Sequence, residues 1–348
     1  ALRMGLIDRL ATTKEIKTQA LSFMGEIIKG GTRTGDKIRE ARRLSQRGLL
    51  ASFLERTGPG RSIVFRKARE AVLEKTKGRY PAPLKIIDIV REGMSSPIET
   101  ALRLEQEGIE YLMRDEVTEN LMHVFSLRMG AGKILSRKDE PAPAGKINKV
   151  GVLGAGAMGS GIAQWLLGRG FQVRLKDINE QAVSAGIRNI HRSFDKLVSR
   201  RKMTGREKNE AMRLLSTSTA YTGFSSCDLV IEAVADRLDI KKAVLEELQA
   251  AAGSNWIFGT NTSSLSVDAI SKASKDPSRV LGLHFFNPVS KMPLVEVVKG
   301  RETSAETLSR GIDFIKAIGK IPLIVSDSPG FLVNRILMAY ANEAGLLL

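Results

Sequence analysis

The sequence predicts an α/β fold with a doubly wound, mostly parallel sheet, preceded by a helical region and followed by the start of an all-helical domain. Three observations lead to this prediction. A short apolar strand over 150–153 runs directly into a glycine-rich turn and a helix. From Ile147 onward, strand-like and helix-like segments alternate, as a parallel sheet requires. Before residue 140, amphipathic segments are separated by breakers and no run of strands is visible.

The stretch 139–145 is predicted to be a linker between domains, because two prolines and a glycine follow a charged run there. It divides the chain into a helical region over 1–140, an α/β domain over 146–327, and the beginning of a helical domain over 328–348. Within these parts, Thr57-Gly-Pro-Gly60 is interpreted as a breaker, a long helix is expected over 180–203, and Pro329 is expected to open the last helix.

The glycines of the central turn have the spacing G-x-G-x-x-G, at Gly154, Gly156 and Gly159. In a dinucleotide site, the first permits the tight strand-to-helix turn and the second lets the backbone approach a pyrophosphate. The third lets the helix pack close to the strand. The N-terminus of the helix adds free N–H groups and the positive end of its dipole. This pattern predicts a Rossmann-type dinucleotide domain.

A second apolar strand, over 173–176, ends in Asp177. This acid lies about 20 residues beyond the glycines, where a carboxylate can accept both hydroxyls of an adenosine ribose. The residues that follow, Ile178 and Asn179, include no arginine to bind a 2′-phosphate, so the pattern favours NAD over NADP. The alternative is that Asp177 only caps the helix that begins near Glu180.

The composition excludes several other functions. The net charge is +16, and the first hundred residues have 21 Lys or Arg against 11 Asp or Glu. Because no basic-aromatic interleaving or nucleic-acid motif accompanies this charge, we expect solvated helix faces and no nucleic-acid partner. No apolar run of 18 residues or secretory signal is present. The single Cys227 excludes an internal disulfide and suits a reducing compartment, and we predict no metal site.

Of the three histidines, His284 is the candidate base. His123 and His191 lie within amphipathic helical segments, whereas His284 ends an apolar strand over 280–283, at the edge of the sheet where ligands bind. The polar stretch 261–264 follows another strand at the same edge. Glu296 is an acid in an otherwise apolar strand, where a carboxylate is costly unless it is paired. We therefore predict that Glu296 pairs with His284.

Six motifs from Lys149 onward together resemble the L-3-hydroxyacyl-CoA dehydrogenase family, in its order and approximate spacing. They are Gly-Ala-Gly-Ala-Met-Gly, Leu-Val-Ile-Glu-Ala-Val, Asn-Thr-Ser-Ser-Leu, His-Phe-Phe-Asn-Pro, Pro-Leu-Val-Glu-Val-Val and Gly-Phe-Leu-Val-Asn-Arg. Residues 1–8 resemble the end of a crotonase-type enoyl-CoA hydratase. The stretch 78–83 and the helices after it resemble the segment that joins hydratase to dehydrogenase in multifunctional fatty-acid oxidation enzymes.

This resemblance implies NAD-dependent oxidation of L-3-hydroxyacyl-CoA to 3-ketoacyl-CoA in fatty-acid β-oxidation. His284 matches the general base that takes the 3-hydroxyl proton, and Glu296 matches the acid that orients its imidazole. Ser263 matches a hydroxyl that contacts the substrate oxygen near the nicotinamide, and Asn334 matches an amide that positions substrate at the domain cleft. The alternatives are helix capping for Ser263 and a helix-surface position for Asn334.

The resemblance also implies binding residues. The positions that match the NAD site are Gly154, Gly156, Met158, Gly159, Asp177, Ala233, Asp236, Lys241, Ser263 and Asn287. At Asp236 the family usually has a glutamate. Ser193, together with Arg200 and Arg201 of a basic run, matches the region that meets the phosphates of CoA. For this basic run, a solvated helix face is the alternative.

The implied context is a piece of a longer multifunctional enzyme that acts on acyl-CoA. Its partners would be a thiolase subunit and a second copy of itself, in the cytoplasm of a bacterium or in the mitochondria or peroxisomes of a eukaryote. The piece would start after the hydratase catalytic residues and stop early in the helical domain. Two other functions stay open: a non-catalytic NAD-binding assembly module, and a β-hydroxyacid dehydrogenase of the 6-phosphogluconate type, whose families use a reaction-centre lysine.

Overall fold

The computed structural model of the chain describes residues 15–30, 54, 57–134 and 146–347. The chain divides into two compact units, one up to Val124 and the other from Phe125 onward. The predicted linker over 139–145 and the stretch 1–8 lie outside the described residues, so the three-part division of the chain stays a prediction. None of the described helices is long and apolar enough to cross a membrane.

The described part of the first unit is helical. Its helices are α1 (Ile16–Gly30), α2 (Gly58–Thr76), α3 (Pro81–Gly93), α4 (Ile98–Met113) and α5 (Glu116–Ile134), the last of which crosses the division between the units. The interpretation of Thr57-Gly-Pro-Gly60 as a breaker is wrong. Thr57 caps α2 by accepting a hydrogen bond from the Gly60 N–H at 3.1 Å, and Pro59 stands in the first turn, where its missing N–H costs nothing.

The second unit alternates strands and helices. In chain order they are β1 (Lys149–Leu153), α6 (Ala157–Leu167), β2 (Gln172–Lys176), α7 (Glu180–Ser199), α8 (Gly205–Met212), β3 (Leu215–Ser218), β4 (Leu229–Glu232), α9 (Leu238–Ala252), β5 (Ile257–Thr260), α10 (Val267–Ser271), β6 (Val280–Phe285), β7 (Leu294–Lys299), α11 (Ala305–Ala317), β8 (Ile321–Ser326) and α12 (Val333–Leu346).

The strands form one sheet in the order β3-β2-β1-β4-β5-β6-β7-β8. Every neighbouring pair is parallel except β6 with β7. Helices α6, α7 and α11 bury their apolar sides in the core on one face, and α9 and α10 bury theirs in the core on the other. The predicted doubly wound, mostly parallel sheet is therefore confirmed.

Three local differences from the expectations have physical causes. The polar strand β3 was not predicted because it lacks an apolar run. Helix α7 ends at Ser199, before 203, since Arg201 takes a left-handed conformation with φ +56°. The last helix begins at Val333 and not at Pro329, because Gly330 and Phe331 have φ +74° and +47°, which an α-helix excludes.

The functional edge of the sheet is the one where β1, β4, β5 and β6 end. The strand order reverses between β1 and β4, and in open sheets of this kind ligands bind in the crevice outside the carboxyl ends at that point. Because β7 runs antiparallel to β6, it begins at this same edge. Its register places Glu296 directly opposite His284.

Candidate active site

The turn between β1 and α6 requires two of its glycines. Gly154 has φ +96°, and a Cβ there would come within 2.5 Å of the Ala233 carbonyl oxygen. A Cβ on Gly159 would overlap the Gly154 carbonyl. At Gly156, which precedes the first residue of α6, a Cβ would meet nothing within 4 Å. The turn therefore has no room for a side chain at Gly154 or Gly159, whereas the space beside Gly156 is open. A pyrophosphate is expected to approach the backbone at Gly156.

Asp177 is tied to the glycine turn. Its Oδ2 accepts a hydrogen bond from the Ala155 N–H at 2.6 Å, and its Oδ1 accepts one from the Ile178 N–H at 2.7 Å. Each carboxylate oxygen keeps a lone pair for a ribose hydroxyl. The capping alternative is wrong, because α7 is capped by Asn179, whose side chain accepts from the Ala182 N–H at 2.8 Å.

A buried ion-pair network follows β4. Glu232 is fully buried, and its Oε1 accepts from the Lys241 ammonium at 2.7 Å and the Val234 N–H at 2.8 Å. Its Oε2 accepts from the Thr260 hydroxyl at 2.7 Å. The Lys241 ammonium also lies 3.4 Å from Asp236 Oδ1. Lys241 is 1 % exposed, so its charge is taken up by two carboxylates, and a direct contact with NAD stays a prediction.

Asp236 holds the loop that carries Ser263. Its Oδ1 accepts from the Thr262 hydroxyl at 2.7 Å and its Oδ2 from the Ser263 hydroxyl at 3.0 Å. Burial pushes the pKa of the Asp236 carboxyl up, but the Thr262 hydrogen bond, the Lys241 charge and the Ser263 hydrogen bonds outweigh it, so that the pKa is lowered. Ser263 does not cap a helix, since α10 is capped by Ser266.

The predicted pairing of His284 with Glu296 is confirmed. Nδ1 of His284 lies 2.7 Å from Glu296 Oε2, and the two side chains are 7 % and 0 % exposed. With Nδ1 donating to the carboxylate, Nε2 carries the lone pair and can accept a proton. The Phe285 N–H, next in the chain, donates to the Asn261 amide oxygen at 2.8 Å, which fixes the end of β6 against the loop after β5.

The first turn of α12 reaches the same place. Asn334 donates from Nδ2 to the Ser263 carbonyl oxygen at 3.1 Å, so it is not a plain helix-surface residue. The other oxygen of Glu296, Oε1, accepts from the N–H groups of Leu332 and Val333 at 3.0 and 2.8 Å. The structure therefore brings His284, Glu296, Ser263 and Asn334 together, as the sequence predicted for their positions, while their catalytic roles stay predictions.

A groove of about 390 Å³ lies between α6, α7 and the loop after β6. Ser193 and Asn287 line it, as do Arg192 and Lys196, two basic side chains that sequence reasoning missed. Arg200 and Arg201 are exposed beyond the end of α7 and are not among the described residues that line the groove. The spacing of Arg192, Ser193 and Lys196, at i, i+1 and i+4 on a helix, could have indicated this shared side.

Another contributor that the sequence did not indicate is Lys320, which supports the loop carrying Asn287. Its ammonium donates to the carbonyl oxygens of Val289 and Met292 at 2.7 and 2.6 Å. Burial, with the nearby charge of Arg169, lowers the pKa of Lys320 to about 8. A lone lysine before a strand gives no sequence signal for such a role.

The fold and the site together define an NAD-binding domain of the dehydrogenase type. Residues 149–328 match the family model described as "3-hydroxyacyl-CoA dehydrogenase, NAD binding domain". The chain belongs to the 3-hydroxyacyl-CoA dehydrogenase family, and NAD is the dinucleotide of its domain.

Curated relatives extend the likeness over the whole chain. The fatty acid oxidation complex subunit alpha of Shewanella sp. strain ANA-3 is 38% identical over 349 residues, which cover 100% of this chain and 47% of the relative. The protein of the same name from Shewanella amazonensis is also 38% identical, with 100% and 48% covered. The chain thus spans about half the length of the relatives it matches.

Solved structures match just over half of the chain. The 3-hydroxybutyryl-CoA dehydrogenase of Escherichia coli K12 is 39% identical with a TM-score of 0.56, over 57% of this chain and 42% of that one. The (S)-3-hydroxybutyryl-CoA dehydrogenase PaaH1 of Ralstonia eutropha has the same identity and TM-score, over 57% and 70%.

The Glu232–Lys241 pair leads to a stability prediction. Lys241→Met should lower the free energy of unfolding by about 3–5 kcal/mol, because it leaves the fully buried Glu232 carboxylate without its cation. The measurement is urea unfolding, with Lys242→Met as the matched control on the same helix. Adding Glu232→Gln to Lys241→Met should recover part of the loss. Equal losses for the two lysine variants would contradict the prediction.

Proposed function

We propose that the second unit catalyses the NAD-dependent oxidation of an L-3-hydroxyacyl-CoA to the 3-ketoacyl-CoA, in fatty-acid β-oxidation. The observation that carries the proposal is the buried His284–Glu296 pair, with Ser263 and Asn334 beside it, at the sheet edge that also bears the glycine turn. Family membership supports it, as do the names of the relatives and of the two solved hydroxybutyryl-CoA dehydrogenases.

In this mechanism His284 is the general base. Its Nε2 takes the proton of the 3-hydroxyl. NAD would be held by the glycine turn and Asp177, and it would supply the acceptor for the hydride that leaves C3. Glu296 is the acid that fixes the imidazole with Nδ1–H toward the carboxylate and stabilises the imidazolium that forms. Because both side chains are buried and paired, little reorganisation accompanies the proton transfer.

Ser263 and Asn334 position the substrate in this proposal. The Ser263 hydroxyl donates to Asp236, so its oxygen is oriented and keeps lone-pair capacity toward a substrate or nicotinamide donor. Asn334 uses one amide hydrogen on the Ser263 carbonyl and retains a second hydrogen and its carbonyl oxygen for the substrate. Both residues are thus held by the protein before substrate arrives.

We assign the groove between α6 and α7 to the CoA part of the substrate. Ser193 offers a hydroxyl, and Arg192 and Lys196 offer positive charge from the same helix. Phosphate groups favour such a combination. Arg200 and Arg201, the positions first matched to CoA, would then act by steering a polyanionic substrate from outside the groove.

The two alternatives remain distinguishable. A reaction-centre lysine of the 6-phosphogluconate type has little support, since both buried lysines described at this edge are already paired. Lys241 lies between two carboxylates, and Lys320 donates to two backbone carbonyl oxygens. An NAD-binding assembly module draws its support from the length of the relatives, because the chain covers only 47% of one of them. For the longer protein we propose enoyl-CoA hydratase activity, a thiolase partner and self-association, and a bacterial cytoplasmic location.

The test of the proposed function is acetoacetyl-CoA reduction by NADH, followed by NADH absorbance, on this chain and on the intact gene product that contains it. Activity in either one supports the dehydrogenase. Activity in the intact protein alone means that the chain carries the site and that other segments complete it. If neither protein turns over substrate, the assembly module is the better proposal.

His284→Gln should lower kcat by about 10²–10⁴-fold, because the general base is lost, while the dissociation constant for NADH changes little. Steady-state kinetics measure kcat, and an NADH fluorescence titration measures the dissociation constant. His123→Gln, at an exposed position of α5 that is not among the residues described for the site, is the matched control and should keep the wild-type rate. A His284→Gln enzyme with most of its rate would exclude His284 as the base.

The double variant Ser193→Ala/Lys196→Ala should raise KM for acetoacetyl-CoA about tenfold with kcat unchanged, as expected when uniform binding is lost. KM for acetoacetyl-pantetheine, which lacks the adenosine phosphates, should not change. Arg188→Ala, which removes an exposed arginine of the same helix outside the groove, is the control. An equal rise in KM for both substrates would place CoA elsewhere.

A further inference from the structure

The turn between β8 and α12 contains a phenylalanine in a left-handed conformation. Phe331 has φ +47°, and its N–H closes the turn on the Ser328 carbonyl oxygen at 2.9 Å. The side chain is 2 % exposed. A bulky residue adopts this conformation only where its surroundings enforce it, and such positions concentrate at functional sites. The left-handed conformation of Phe331 therefore indicates that the turn has a specific function.

The turn directs two backbone donors at one oxygen. The N–H groups of Leu332 and Val333 both donate to Glu296 Oε1, at 3.0 and 2.8 Å. Oε2 of the same carboxylate faces His284 Nδ1 at 2.7 Å. Glu296 is 0 % exposed, so no water competes for either oxygen. One buried carboxylate thus joins the imidazole to the start of α12.

The Phe331 side chain reaches the imidazole directly. Its ring centroid lies 5.7 Å from that of His284, and the Phe286 centroid lies 4.4 Å away, both tilted by 53°. Aromatic contacts of this kind restrict the rotation of the imidazole. The carboxylate restrains the ring at Nδ1 and the two phenylalanines pack against it, so that the free Nε2 keeps one direction.

We propose that Phe331 is a positioning residue for the reaction, and that the first turn of α12 belongs to the machinery of the base. Phe331 acts through Glu296 and His284 and does not touch the reacting atoms. It sets the left-handed turn that brings the two N–H groups to Glu296 Oε1, and it packs against the imidazole. This inference rests on the proposed function, because it assigns a role relative to the base of that reaction.

The physical reason is the cost of an unpaired buried carboxylate. Without the two N–H donors, Oε1 of Glu296 would be buried with no hydrogen bond. The carboxylate would then turn away and stop stabilising the imidazolium. Docking of the first turn of α12 is therefore required for His284 to act, which couples the start of the helical segment to the chemistry on the sheet.

The test uses the intact gene product and two substitutions of Phe331. Phe331→Gly removes the ring and introduces a residue that adopts positive φ without strain. Phe331→Leu keeps most of the apolar volume. We expect kcat for acetoacetyl-CoA reduction to fall about tenfold or more in Phe331→Gly and by a smaller factor in Phe331→Leu, as for a displaced catalytic group. The NADH dissociation constant should stay within about twofold in both, since the turn contributes none of the residues that we predict to bind NAD.

A double-mutant cycle separates positioning from general destabilisation. Because the Phe331 ring and the Glu296 carboxylate both hold the same imidazole, the loss of rate in Glu296→Gln/Phe331→Gly should be clearly smaller than the product of the two single losses. Phe314→Ala is the control, because Phe314 is equally buried but packs against Phe171 on another part of the sheet. It should lower the melting temperature and leave kcat of the folded enzyme unchanged.

Each outcome of these measurements either supports or overturns the positioning role of Phe331. A wild-type protein without turnover overturns the proposed function and this inference with it. A wild-type protein that turns over, with an equally fast Phe331→Gly variant, overturns the inference alone. Multiplying losses in the double variant also overturn it, since they show that the two residues act independently. If Phe331→Gly fails to fold, Phe331→Leu and its double variant with Glu296→Gln decide by the same criteria.

Discussion

The carboxylate of Glu296 is the interaction on which the rest of the site depends. It is fully buried in a sheet of apolar strands, where a charge persists only if every lone pair that needs a donor finds one. The donors come from two parts of the chain: the imidazole of His284 on β6, and the backbone of Leu332 and Val333 at the start of α12. Satisfying one carboxylate therefore fixes the imidazole of His284 and anchors the segment that follows the sheet.

Glu232 is a second buried carboxylate whose two oxygens both accept hydrogen bonds, and it lies at the part of the sheet edge that carries the glycine turn. Glu232 ends β4 at the edge where the strand order reverses, and it takes donors from the next backbone segment, from Thr260 on the neighbouring strand and from Lys241 on α9. The Lys241 ammonium also pairs with Asp236, and Asp236 in turn orients the Ser263 hydroxyl by accepting its hydrogen bond. The two networks meet at Ser263, because Asn334 of α12 donates to its carbonyl oxygen.

The sequence predicted a feature correctly where the residue type has one main structural use in that sequence context. The glycine spacing and Asp177 indicated the dinucleotide turn, and an acid in an apolar strand opposite a histidine indicated the pair. It was misleading where one residue type has two uses: Thr57-Gly-Pro-Gly60 resembles a loop but begins a helix, and Pro329 resembles a helix start but precedes a left-handed turn. Lys320 and Phe331 gave no warning of their contacts, because these arise from packing between elements distant in sequence.

The positive φ of Phe331 shows why such roles escape a sequence pattern. A glycine at this position would signal the turn, as Gly330 does, but it would leave the imidazole without an aromatic neighbour on that side. A phenylalanine in an extended conformation would pack, but it would point the next two N–H groups away from Glu296. The observed residue meets both requirements at the expense of backbone strain, which is tolerated because a buried ring and two hydrogen bonds to a charged group offset it. The strain is therefore located at the point where the sheet, the His284 imidazole and the helical segment have to be held together.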